Sequence, residues 1–152
     1  MPLNITLNFP PLIEFSNGCD NNSVTIYLAT NKFPPLPKFE IWTNNKTQFQ
    51  SDSSKISLVD DIWQHLAATY DGLEMKIYLN AILLKTSQNI SYEMPTLVRT
   101  NNFIGGTKCL NEGHSSSYVD DVRIYSTCLS QSQINDVMMS NETNFSSTSN
   151  II

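Results

Sequence analysis

Charge is scarce in this chain: only 15% of its 152 residues are Asp, Glu, Lys or Arg. The nine basic residues form no cluster and the net charge is −5, which argues against a nucleic-acid partner and an anionic membrane surface. Mild acidity is compatible with calcium binding, but is more often plain solubility. Long apolar runs are missing too; none approaches the roughly 20 residues that a bilayer-spanning helix needs. The opening MPLNITLNFPPL has no basic start and alternates apolar residues with Asn and Thr, so it reads as a strand and not as a signal peptide. If the domain is secreted, its export signal is expected outside this sequence. Nucleophile and phosphate signatures are also lacking: there is no G-x-S-x-G elbow, and Gly105-Gly106 runs into Thr107-Lys108-Cys109 without a Walker pattern.

Histidine is confined to His65 and His114, and neither makes a zinc template with Cys19, Cys109 and Cys128. His65 lies inside a strand pattern, where satisfying a neighbouring backbone group is its expected role. His114 lies in a polar loop with nothing local to make it a base. Three cysteines leave one unpaired in any scheme. A Cys109–Cys128 bridge would tie the loop after Gly106 to the turn after Tyr125; three reduced, buried thiols are the alternative. Six Asn-x-Ser/Thr sequons start at Asn4, Asn21, Asn45, Asn89, Asn141 and Asn144. They lean toward the secretory pathway, although an Asn- and Ser-rich chain produces some by chance.

What is present is a period of two. Hydrophobic residues make up 40% of the chain, too many for disorder, and the length suits one domain with one core. From Trp63 to Leu84, β-branched and aromatic residues alternate with polar ones on either side of Asp71-Gly72, a strong hairpin signal. Met75, Ile77 and Leu79 are expected on the core face, with Lys76, Tyr78 and Asn80 on the wet one. Further strands are expected over Leu3–Phe9, Leu12–Phe15, Ser23–Ala29, Lys38–Trp42, Lys55–Val59, Asn102–Gly105 and Tyr118–Tyr125. Phe33–Pro37 reads as a connection, and Thr43–Ser54 as a polar loop. Ser130 and Gln133 form a capping box, and Ile134, Val137 and Met138 follow at helical spacing, which predicts one short helix near Ser130–Met139. The expected class is all-β: an antiparallel sandwich over residues 1–139, followed by a polar tail or linker over 140–152.

Several motifs fall together. They are Trp63-x-His65 with Ala67 and Thr69-Tyr70-Asp71-Gly72, then Ile77-Tyr78-Leu79-Asn80, Phe103–Gly106 and Asp120–Tyr125. In this order they resemble the laminin-G-like, concanavalin A-like jelly-roll domain, over roughly Leu12 to Met139. Two departures stand out. Ala81 occupies the position of the family's turn glycine, and the family's opening strands lack a clear counterpart, so the domain is expected to be N-terminally incomplete or a fragment.

The resemblance implies a jelly-roll sandwich and a non-catalytic binding or adhesion module that recognises glycan or protein, in an extracellular or cell-surface protein. It also implies a structural calcium ion held by an acid two residues before Val122, which is Asp120; capping a loop amide or facing water is the alternative role. Related glucanases carry an E-x-D-x-x-E strand, because a retaining mechanism needs two carboxyl groups about 5–5.5 Å apart. No such run exists, and Glu14, Glu40, Glu74, Glu93, Glu112 and Glu142 each look isolated, so an enzyme is not expected. Trp42, Trp63, Tyr70, Tyr78, Tyr118 and Tyr125 are candidates for a sugar-stacking platform, with core packing as the commoner role. Tyr78 is the expected exposed member, and Thr43–Ser54 and Thr107–Ser117 the loops expected nearest a ligand. A glucanase-type hydrolase and a ligand-free spacer or degenerate fragment remain the alternative functions.

Overall fold

The computed structural model describes residues 11–19, 21–29, 36–44, 48–52, 56–107 and 117–140. The expected Leu3–Phe9 strand, His114, Cys109 and the tail from residue 141 lie outside them, as does most of the Phe33–Pro37 connection. Eight strands and one helix are built: β1 (Pro11–Ser16), β2 (Val24–Ala29), β3 (Leu36–Trp42), β4 (Gln48–Asp52), β5 (Leu66–Tyr70), β6 (Met75–Leu79), β7 (Ile82–Ser87), β8 (Asn101–Ile104) and α1 (Gln131–Met139). All described pairings are antiparallel, in a five-stranded sheet ordered β4-β3-β2-β1-β8 and a three-stranded sheet ordered β5-β6-β7. The chain completes one four-strand meander, crosses to build the second sheet, and returns to add β8 beside β1. The protein is an all-β sandwich with one short helix.

The two sheets bury one apolar layer between them. Phe39 and Ile41 of β3 meet Met75 and Ile77 of β6, and Ile90 closes the layer from the segment after β7. Ile90, Tyr92 and Met94 alternate toward this core although their segment joins no ladder. Tyr92 stacks on Phe49 with centroids 5.7 Å apart, and its carbonyl accepts the Tyr70 hydroxyl. Burial raises the Tyr70 pKa above its usual value.

The two hairpin turns of the small sheet differ in their chemistry. Asp71–Glu74 is a four-residue loop in which Asp71 Oδ1 accepts from the Leu73 and Glu74 amides, at 2.9 and 2.7 Å. Those bonds hold the Asp71 carboxyl below its ordinary pKa. Asn80 and Ala81 form a two-residue turn between Leu79 and Ile82, both with positive φ (50° and 61°), as the primed hairpin turns require. Ala81 thus takes the left-handed conformation that glycine takes without strain.

Three expectations change. The stretch read as a polar loop contains β4, because only Phe49 of Gln48-Phe49-Gln50 packs toward the core. The expected Lys55–Val59 strand is not formed over residues 56–59; Gln64 instead clamps the Val59 amide and carbonyl at 3.2 and 2.8 Å. Tyr118–Tyr125 is not a strand either. Asp120 accepts the Asp121 amide through its side chain, and Asp121 adopts φ 51°, which breaks an extended run locally.

The helix forms where its capping box predicts. Ser130 Oγ accepts from the Gln133 amide, and Gln133 Oε1 accepts from the Ser130 amide at 2.8 Å. Its buried residue Ile134 packs on Tyr78 and Ala81, with Leu129, Ala67 and Met138 around them. Ile134→Ala is expected to lower unfolding free energy by about 2–4 kcal/mol, measured by urea denaturation, because the truncated side chain leaves a cavity under the helix. Ala81→Gly relieves about 1–2 kcal/mol of left-handed strain and forfeits about 0.8 kcal/mol of buried methyl. The same measurement should therefore show a small net gain.

Candidate functional site

The sheets place polar chemistry in two locations. The first lies on the face of the five-stranded sheet that turns away from the core. Cross-strand register aligns Phe103, Glu14, Thr25, Glu40 and Gln50 in one row across β8, β1, β2, β3 and β4. Glu14 and Glu40, isolated in sequence, therefore share a face with β2 between them, their backbones roughly 10 Å apart at two strand spacings.

The middle of the row is nearly sealed, with Glu14 3% and Glu40 4% exposed, whereas Gln50 at its end is exposed. Glu40 is ion-paired with Lys38 and also accepts from the Trp42 indole at 3.1 Å and from the Gln48 amide. Glu14 accepts only from Ser16 Oγ, at 2.6 Å, leaving its Oε2 and the neighbouring Thr25 Oγ1 unpartnered. Both carboxylates are thus withdrawn from solvent, Glu40 with a charged partner and Glu14 without one.

The second location is the free edge of the small sheet. Nothing among the described residues pairs with the outer edge of β5. At its start, Asn80 grips the strand from both sides: its side chain accepts the His65 amide at 2.9 Å, and its own amide donates to the His65 carbonyl at 2.8 Å. Burial lowers the His65 pKa, opposed by the nearby Asp121 charge and assisted by that of Arg123. Asp121 and Arg123 therefore lie within electrostatic reach of His65. Its Nδ1 is buried without a partner.

Several large side chains near His65 or near Asp121 and Arg123 in the sequence are exposed. Trp63 is 70% and Tyr118 92% exposed, and Ile62, Ile124 and Tyr125 are exposed as well. Arg123 Nε donates to Asp121 Oδ1 at 2.7 Å, and Arg123 Nη1 to Ser140 Oγ at 2.8 Å. The Asp121 contact raises the Arg123 pKa.

The residues singled out from sequence fare unequally. Tyr78 is not exposed; at 4% exposure it lies beneath α1 with Ile134, because β6 is covered on both faces. The Cys109–Cys128 bridge is not formed: Cys128 is an exposed free thiol, whereas Cys19 is disulfide-bonded. Asp120 is exposed and holds the Asp121 amide at 2.8 Å, and the described residues contain no group of three His, Cys, Asp or Glu side chains able to hold a metal. Trp63, Tyr118 and Tyr125 were legible as aromatics, but their exposure was not, since alternation marks both as core or platform. The Glu14–Glu40 row escaped sequence reading because its members lie 26 residues apart.

No curated protein sequence matches the chain. A solved structure, the S-layer domain-containing protein (residues 221–444) from Clostridium thermocellum ATCC 27405, is 21% identical; the match covers 91% of this chain and 66% of that one, with a TM-score of 0.43. The family model described as the concanavalin A-like lectin/glucanases superfamily matches residues 2–135. With that span and two antiparallel sheets packed face to face, the chain belongs to the concanavalin A-like lectin/glucanase superfamily.

Proposed function

We propose that the chain is a non-catalytic binding module of an extracellular or cell-surface protein, and that it recognises a glycan. The observation that carries this reading is the exposure of Trp63 and Tyr118, together with an Asp121–Arg123 pair that still reaches solvent and lies within electrostatic reach of His65. A sugar ring has an apolar C–H face and a rim of hydroxyls. Amphipathic aromatic rings suit the first, and a carboxylate and guanidinium that still reach solvent suit the second. Aromatics and Arg also lead at protein interfaces, so a protein ligand is the alternative occupant. The hydrolase reading is disfavoured because Glu14 and Glu40, which share a sheet face, are both buried, and Glu40 is ion-paired with Lys38. An adhesive role follows from the same surface, and the sequons support the location.

A glycan-array screen of the purified domain is expected to give a positive class, and Trp63→Ala or Tyr118→Ala to weaken that binding at least about tenfold, the worth of roughly 1.4 kcal/mol. Melting temperature should stay within the small range of surface changes. Binding that survives both substitutions would displace the ligand surface from this edge. Repeating the screen with calcium chelated tests Asp120: calcium-dependent melting in the parent but not in Asp120→Asn would assign the ion to that carboxylate, and equal responses would leave Asp120 a loop cap.

Laminarin and lichenan are expected to remain intact on incubation with the protein. Turnover that disappears in Glu14→Gln or Glu40→Gln would make the domain a hydrolase.

A further inference from the structure

We propose that Asn89 is an acceptor for an N-linked oligosaccharide, and that Asn21, which carries the same triplet, is not; the proposal rests on the extracellular reading above. Asn89-Ile90-Ser91 and Asn21-Asn22-Ser23 are the sequons that fall wholly within the described residues. Their surroundings differ. Asn89 follows β7 with φ 61°, a turn conformation, and both Asn89 and Ser91 are exposed. Between them Ile90 is 5% exposed and anchored in the core, and its amide donates to the Leu73 carbonyl at 3.0 Å. The backbone is thus pinned at the middle residue, while the two side chains that an oligosaccharide transferase must engage both reach solvent.

The Asn21 triplet has the opposite arrangement. Ser23 is buried, and its carbonyl is taken by the Trp42 amide at 2.9 Å. The Asn22 carbonyl is held by Arg99 Nε at 2.9 Å, and the Asn21 side chain accepts from Asn22 Nδ2 at 3.2 Å. Asn21 also closes a tight turn through bonds with Asn17 and Gly18. A glycan there would compete with packing that the folded domain uses.

The transfer joins Asn89 Nδ2 to the anomeric carbon of an oligosaccharide activated as a polyisoprenyl diphosphate. The new C–N bond replaces the C–O bond to the diphosphate, the amide proton passes to a base of the transferase, and no electrons change hands. The position leaves the ligand edge clear. Asn89 sits at the Leu73 end of the small sheet, while Trp63 and His65 sit at the other end of β5, a five-residue strand roughly 17 Å long.

The test expresses the chain behind a secretory leader in eukaryotic cells and maps the secreted protein by mass spectrometry, before and after peptide-N-glycosidase. Position 89 should be occupied in most molecules and position 21 empty. Ser91→Ala, which keeps the asparagine and its positive φ, should abolish the modification at position 89, and Asn21→Gln should leave it unchanged. An empty position 89, or occupancy at position 21, would overturn the proposal. The leader supplies the compartment, so native location is read separately, with an antibody on unpermeabilised source cells. Surface staining with position 89 bare overturns this proposal alone; occupancy in the host without staining overturns only the extracellular reading.

Discussion

Everything else in this domain depends on β6 being buried from both sides. Met75 and Ile77 fill the space between the sheets, while Tyr78 is covered on the other side by α1. A strand with one wet face would leave the helix unattached and the Asn80-Ala81 turn in solvent. Here the turn is drawn into the fold: Ala81 is buried against Ile134, and its carbonyl accepts from Gln131 Nε2 at 3.0 Å. The same turn supplies the Asn80 grip on His65, so helix, hairpin and the start of β5 are held as one unit.

The larger sheet solves a different problem. Its core side is apolar, but its other side carries two buried carboxylates, of which Glu40 is held by Lys38 and Trp42 of its own strand and by Gln48 of the next. Removing a charge from water costs several kcal/mol unless it is paired and hydrogen-bonded. Glu40 meets that condition through three partners, whereas Glu14 has one hydroxyl and keeps a buried oxygen unpartnered. Such a network fixes register, because slipping one strand by a residue would put a carboxylate into the apolar layer.

The outer edge of β5 is one of the sheet edges with no strand partner among the described residues. Backbone groups on that edge lack ladder partners among the described residues, and Tyr118 and Tyr125, on either side of Asp121 in the sequence, point into solvent. Loops carried on a rigid sandwich commonly bear ligand contacts, since their side chains need not serve the core. The Asp121–Arg123 pair lends the surface charge of both signs in a chain that has little charge elsewhere.

Sequence alone determined the elements whose signals are local. Period-two alternation placed β1, β2, β3 and the β5–β6 hairpin, and the Ser130–Gln133 capping box placed the helix to within a residue, because pleat and cap geometry involve neighbours in the chain. The family, too, was readable from the Trp63–Gly72 and Asp120–Tyr125 motifs. Tertiary structure alone decided which alternating face would be wet. Tyr78 has the pattern of an exposed residue and is buried, since the helix that covers it arrives more than fifty residues later in the chain. Tyr118 has the pattern of a strand residue and stands in solvent, since Asp121 turns the backbone into the left-handed region and no ladder forms. The pairing of Glu14 with Glu40 across β2 was likewise invisible, because it depends on strand order and not on spacing.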